Sequence, residues 1–580
     1  MQEINGRLRK IEGATIKHAH RFLIRRWKNL QEVRRHATSW FLFVLILSGV
    51  VLWQTAQGMS LYSINIPSEG GTYTEGVFGA LDNLNPIFAS TQAERSASRL
   101  LFAHLMQYDD KGDLVGELAS GWQSDAQGKV YTVGLRKDAR WTDGVPITAT
   151  DVVYTFNAIK DADTKSPLYS GWRNILVSRI DDYTVVFTLP TPYAPFLNAL
   201  TIGLLPEHIL GKIPLTELRN NGFNRAPSVT SGPFVFQDIR ALDDKHTHFL
   251  VRLAANADYF AGAPKLSRFQ LNTYADPDQL LNSYRSQEVA AVSDLNTEQL
   301  AQLGHTHSPV RTESPLYNAV YAFFKIDSPM VQDPKVRQAL ELATDRSKVI
   351  AKLNNRVQPV TGPLLPGQLG YNPDLHQPDT NLQQAEQLLD AAGWHLDKQG
   401  QRINKDGQHL KLQLAAVNTG DYPIVAQELM RQWSKLGISF ESQLIRPEDI
   451  QQNVIVPRAY DVLVYEIALG SDPDVYAYWD STQANAQGFN LSNYKSAIVD
   501  DTLDTARSRS DAALRSAKYH TFTQQWLTDV PAVGLYRPSM SYVQTPDITS
   551  FTPRPLVDQT DRYFNVRYWS ASKDSMRPTL

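Results

Sequence analysis

The chain has 580 residues, with 57 Lys plus Arg against 60 Asp plus Glu and a formal net charge of −3, a balance that argues against a nucleic-acid or other polyanion binder. A hydrophobic share of 42%, with 22 Phe, 11 Trp and 25 Tyr, supplies a large core and excludes disorder over most of the length. The absence of cysteine removes disulfides, thiolate metal sites, cysteine nucleophiles and the lipidated cysteine of a bacterial lipoprotein.

Residues 1–39 carry ten basic and three acidic side chains, and the uncharged run Trp40–Trp53 follows, with an indole at each end. Fourteen residues suit a signal-peptide core, whereas a spanning helix needs about 20. Nothing is charged from Ala37 to Gly58, so the longer reading holds as well. The expectation is a transmembrane anchor over 40–57, or an uncleaved signal, behind a basic cytoplasmic segment over 1–39. The basic excess then puts everything after it outside the membrane. Apolar Ile16, Leu23, Trp27 and Leu30 recur at helical spacing in the basic segment and suit the inner leaflet.

Beyond Tyr62 the pattern is mixed α/β. A helix is predicted around Ala93–Met106, and strands over Val130–Leu135, Tyr183–Leu189, Gly232–Gln237 and Thr247–Leu253. The extended stretch Pro315–Phe324 is a candidate crossover between two lobes, followed by a long helix, Pro334–Leu353. Leu410–Leu414 alternates as a strand. Asp421 and Pro423 then signal a helix start, Gly437 its stop, and Ile438–Leu444 a second strand. Pro447 opens a short helical piece before a third strand, Tyr460–Tyr465. This β-α-β-α-β order calls for a doubly wound parallel sheet, which takes ligands at its strands' carboxyl ends: Val417–Tyr422, the turn after Leu444, and Glu466–Asp474. A return through Ala532–Tyr536 to the first lobe makes a second connection, which suits hinge closure.

Several segments carry a resemblance: Leu81–Pro86, Gly116–Trp122, the long run Leu135–Phe156 around Trp141-Thr-Asp-Gly144, Thr230–Phe234, Val336–Leu340 with Asp345-Arg346, Asp472-Pro-Asp474, Asn493-Tyr494 and Asp500-Asp501. Together they resemble the family 5 extracellular solute-binding proteins of ABC importers, the peptide and nickel type, over about residues 64 to 568. The resemblance implies a two-lobed clamshell of periplasmic-binding-protein type with an extra subdomain in lobe one. Its expected limits are 58–315 for lobe one with that subdomain, 316–530 for lobe two, 531–568 for the return and 569–580 for a tail. It also implies a receptor without catalysis or cofactor that captures an oligopeptide or dipeptide, closes, and hands it to the importer's permease subunits. A nickel or metal-complex receptor, or a structural surface protein on the same fold, is the alternative. Peptide-binding members usually carry an aspartate four residues before the proline of Asp472-Pro-Asp474 to pair with a peptide ammonium, and this chain has Leu469 there, so that Asp472 or Glu466 substitutes or the ligand is not held by a free amino terminus.

Ligand contacts are expected from Asp472, Asp474, Tyr476 and Trp479 in lobe two, and from Tyr317, Asn318 and Gly232 at the hinge and in lobe one. Carboxylates suit a ligand ammonium and aromatics a side-chain pocket; an Asp-Pro-Asp turn capping the next helix accounts equally for the two acids. The Trp141-Thr-Asp-Gly144 run is turn chemistry, with Thr150 or Asp151 capping the helix after it. No P-loop, Gly-x-Ser-x-Gly or His-Glu-x-x-His spacing occurs, so no enzyme is expected. His246-Thr-His248 and His305-Thr-His307 have a spacing that chelates a metal from one strand, yet no third ligand is assignable and surface histidines are the expectation.

Overall fold

A computed structural model of the chain describes residues 34–61, 64–67, 69–303, 309–354, 356–550, 552–571 and 573–576. The chain divides into two compact units, Met1–Ile66 with Lys573–Leu580, and Pro67–Ser572. In the first, a continuous helix, Arg34–Leu61, contains the predicted span, and its apolar side chains lie open, from Trp40 (72% exposed) to Trp53 (65%). Among the described residues no helix is long and apolar enough to cross a membrane. The basic segment up to residue 33, His305 and His307 lie outside the described residues.

The second unit is built on three main sheets. A seven-stranded sheet runs in the order Val310–Pro315, Ser539–Gln544, Ala291–Ser293, Thr72–Phe78, Arg268–Tyr274, His248–Ala255 and Phe234–Ala241. Thr72–Phe78 is parallel to both of its neighbours. A four-stranded antiparallel sheet, Ala119–Ser124, Val130–Leu135, Thr184–Thr188 and Leu176–Asp181, belongs to the same side of the chain order. We call these two sheets and their helices the first lobe. The second is a six-stranded sheet: Gln358–Pro359, Ala532–Arg537, Asn318–Phe324, Val462–Ala468, Lys411–Val417 and Ser439–Ile445, the last three parallel.

The parallel strands read as apolar runs because helices cover both faces: Val462, Leu463 and Val464 are all buried. The helix between two of them, Tyr422–Trp433, has Pro423 in its first turn and closes through Ser434–Leu436 onto Gly437 (φ 82°). A Cβ on Gly437 would sit 2.6 Å from the Gly400 carbonyl oxygen, so side-chain bulk as well as positive φ keeps that position glycine.

Several local readings are corrected. The predicted long helix breaks into Pro334–Leu342 and Arg346–Lys352. The Leu340 carbonyl accepts instead from the Thr344 hydroxyl (2.7 Å) and Trp433 Nε1 (3.0 Å), and Asp345 caps the second piece. The cap after the Trp141 turn is Thr148, with Asp151 as its reciprocal partner. Ala532–Arg537, placed by pattern in the return, is a strand of the second lobe, and the chain re-enters the first lobe at Pro538.

Glu341 is 3% exposed and its carboxylate takes a hydrogen bond from the neutral Gln377 amide at 2.5 Å. Burial pushes its pKa from 4.5 up to about 7. A carboxyl raised on folding holds a proton that the unfolded chain releases, so its stabilising effect is complete below about pH 4.5 and is lost as pH rises through about 7. Denaturant midpoints of the wild type are therefore expected to fall across that window relative to Glu341→Gln. Parallel pH profiles for the two proteins would refute the assignment.

Candidate functional site

The two lobes meet along a seam at the carboxyl ends of the parallel strands, where an α/β sheet of this topology offers its ligand crevice. Asp421 sits at the N-cap of Tyr422–Trp433 without making a side-chain cap bond. Its carboxylate instead accepts from Thr297 Oγ1 of the first lobe at 3.2 Å and from Arg356 Nη2 at 3.3 Å. Arg356 also donates to Thr297 Oγ1 and, at 2.8 Å, to Ser541 Oγ. Ser541 in turn donates to Glu313, whose pKa burial raises while this bond opposes the rise. At the other end of the seam Asn198 Oδ1 accepts from Tyr108 of its own lobe (2.9 Å) and from Ser471 of the other (3.3 Å).

A groove of about 600 Å³ opens between the lobes, lined by Pro192 and Tyr193 of the first and Tyr476, Asp504, Arg507 and Ser508 of the second. The Arg507 guanidinium lies 4.2 Å from the Tyr476 ring centroid and 5.2 Å from that of Tyr193, so it bridges aromatics of both lobes. A smaller cavity of about 280 Å³ lies within reach of Tyr108, His104 and Arg99 in the first lobe. Burial holds His104 well below the usual histidine range, with the Arg99 charge adding to the effect, so its ring is neutral at pH 7.

The expected contact residues separate into three groups. Tyr476 lines the groove, whereas Asp474 stands behind it, its carboxylate paired with the lining Arg507 at 3.1 Å. Burial raises its pKa against the pull of that guanidinium. Asp472 pairs with Arg515 at 2.6 Å. Burial opposes the Arg515 charge, and the hydrogen bond and charge of Asp472 more than offset it. Neither acid caps the helical turn Tyr476–Trp479. Tyr317 and Asn318 stand at the crossing: the Tyr317 carbonyl accepts from Leu469 N (2.8 Å) and Gly470 N (3.1 Å), and Arg537 lies over its ring at 4.7 Å. Asn318 donates to Glu466 at 2.7 Å. Trp479 and Gly232 are interior. Trp479 is 0% exposed, stacked on Phe323 and edge-on to Trp526, and a Cβ on Gly232 would come within 2.6 Å of the Leu100 carbonyl oxygen. His246 stands in a turn (φ 54°), while His248 stacks on Tyr274 at 4.3 Å.

Residues 113–489 match the family described as bacterial extracellular solute-binding proteins, family 5 Middle. The chain belongs to this family. Among family 5 proteins it is 27% identical over 519 residues to the oligopeptide-binding protein AppA of Bacillus subtilis, covering 87% of this chain and 93% of the relative. The structure of AppA in complex with a nonapeptide superposes with a TM-score of 0.67 at 25% identity, over 87% of this chain and 99% of that one. NikZ of Campylobacter jejuni, solved with Ni(L-His), shares the fold with a TM-score of 0.70 at 24% identity, over 87% and 100% of the two chains. The periplasmic-binding-protein-like α/β architecture is thus that of the family 5 receptors.

Composition alone could not find Arg356, Arg507 or Arg515, because nothing marks an arginine whose acid partner lies 33 to 65 residues away. Since the chain lacks cysteine, thiols introduced by Ser178→Cys and Ser442→Cys, both exposed, take paired spin labels cleanly. Arg356→Ala is expected to lengthen the label-to-label distance in the full chain in detergent. An unchanged distance would remove Arg356 from the closure of the seam.

Proposed function

We propose that this protein is a membrane-anchored extracytoplasmic receptor that captures an oligopeptide or dipeptide between its lobes, closes on it, and delivers it to the permease of an ABC importer, without catalysis of its own. The observation that carries the reading is the seam itself: two lobes joined by adjacent chain crossings, with polar groups of both meeting at the carboxyl ends of parallel strands. Similarity to AppA, an oligopeptide-binding protein solved with a nonapeptide, supports peptide as the ligand class. Support for the anchor comes from the helix Arg34–Leu61, in which fourteen apolar-rich residues bounded by Trp40 and Trp53 are exposed and no charge occurs from Ala37 to Gly58.

Ligand contact on this reading involves Tyr476 at the groove, with Asp474 acting through Arg507, and Tyr317 and Asn318 at the crossing. Asp472 acts through Arg515. The domain limits follow the crossings, with 316–530 plus the strand Ala532–Arg537 moving as one lobe against 67–315 and 538–568.

The full chain, purified in mild detergent from a peptide-rich host, tests this by mass spectrometry of what it releases on denaturation. A heterogeneous set of short peptides, and a label distance between positions 178 and 442 that shortens when a random tetrapeptide pool is added, is the expected result. A single non-peptide or metal-containing species would overturn the peptide class. A protein that is empty and ignores the pool would overturn the receptor role.

A further inference from the structure

Among the second lobe's carboxylates near the seam, three are already paired with arginine, Asp421 with Arg356, Asp472 with Arg515 and Asp474 with Arg507, and Asp504 lines the groove together with Arg507. Glu466 differs from all of these: it lies near the carboxyl end of the parallel strand Val462–Ala468 and is partly buried. Its two oxygens receive one neutral donor each, Asn318 Nδ2 at 2.7 Å and the Tyr422 hydroxyl at 2.8 Å. Among the described residues no Lys, Arg or His nitrogen pairs with it. Tyr422 keeps its proton, because burial and the neighbouring Glu466 charge both hold its pKa well above the ordinary tyrosine value. The pair of donors therefore fixes the carboxylate without neutralising it.

A second observation points the same way. Asn318 Oδ1 is enclosed and accepts no hydrogen bond. The amide cannot be turned to relieve it, since that would set Oδ1 against the Glu466 oxygen. An uncompensated charge and an orphaned acceptor thus share one side chain's reach, and both lack the same thing, a positively charged hydrogen-bond donor. Water would satisfy the amide oxygen but leave the charge.

We infer that Glu466 and Asn318 form the subsite that receives a primary ammonium group of the ligand. An ammonium carries its charge on one compact centre with three donors, and reaches a remaining lone pair of Glu466 and the Asn318 oxygen together. A guanidinium fits less well, because its two-pronged contact needs both carboxylate oxygens on one edge and each is already engaged. The inference rests on the peptide-receptor reading. It also locates the charge recognition away from Asp472 and Asp474, whose arginines are held within the second lobe.

Calorimetry on the full chain in detergent tests it, with tetra-alanine, N-acetyl-tetra-alanine and N-acetyl-Ala-Ala-Lys-Ala as probes. N-acetylation is expected to weaken tetra-alanine binding about 10- to 100-fold, the range for a hydrogen bond to a charged group. Glu466→Gln should weaken free tetra-alanine by a similar factor and leave the acetylated probe unaffected. If the lysine probe recovers the lost affinity, the subsite takes a side-chain ammonium; if it does not, the subsite takes the chain's own amino group. Wild type binding both tetra-alanine forms equally would overturn the subsite while the peptide reading stood, and needs no variant to fold. A folded Glu466→Gln protein that binds tetra-alanine as wild type does would overturn it too. Wild type that binds none of the three probes and nothing from a random peptide pool would overturn both.

Discussion

The structure depends on two chain crossings laid side by side. Val310–Pro315 and Asn318–Phe324 belong to different sheets, as do Ala532–Arg537 and Ser539–Gln544, so each pair passes between lobes within two residues or fewer. The crossings are bonded to each other: Leu316 N–H donates to the Pro538 carbonyl at 2.9 Å, and Arg537 Nε donates to the Leu316 carbonyl at 2.5 Å. Pro538 has no N–H to offer, which leaves this point of the ladder free of one tie. A pair of adjacent short crossings concentrates rotation into a few backbone angles, the geometry of a hinge. Burial without a carboxylate works against the Arg537 charge, and the Tyr317 ring beneath it supplies part of the compensation.

From the hinge the connections run directly to the seam. The Tyr317 carbonyl holds the backbone of Leu469 and Gly470, just beyond the strand that carries Glu466, and Asn318 holds Glu466 itself. Gly470 takes a left-handed φ of 71° there, which suits glycine. Any rotation at Leu316–Tyr317 therefore moves against residues bonded at the carboxyl end of the strand Val462–Ala468. The seam contacts are polar and few, each a modest contribution in partly solvated surroundings. Contacts of that kind allow opening, whereas a large apolar interface would lock the lobes shut.

Much of this was legible in the sequence where periodicity and turn chemistry decide structure. Val130–Leu135 is a strand with alternating burial, and the β-α-β-α-β order around Tyr422–Trp433 forms the expected parallel sheet. What the sequence misled on was the spending of side chains over distance. Asp421 occupies the cap position its pattern predicts but gives its carboxylate to Thr297 and Arg356. Asp472 and Asp474 have the chemistry for an ammonium, yet Arg515 and Arg507, on helices that follow in sequence, reach them first. Trp479 belongs to an aromatic cluster with Phe323 and Trp526, and no local pattern separates an aromatic lining a pocket from one filling a core. Glu466 was the visible exception, an acid inside the run Val462–Ile467 whose other members are apolar or aromatic.

That exception carries a physical meaning. A carboxylate within a central strand costs desolvation energy, and proteins ordinarily offset this with a cation or with several donors. Here the two donors are neutral and one brings an acceptor that itself goes unsatisfied. Folding would be served better by an apolar residue at this place, as at Val464 two positions earlier on the same face. Local conflicts of this kind concentrate where binding resolves them. On the proposed reading, a seam that holds a charge only a ligand completes gains more from the closed, occupied state than from the closed, empty one, and that difference would couple capture to closure.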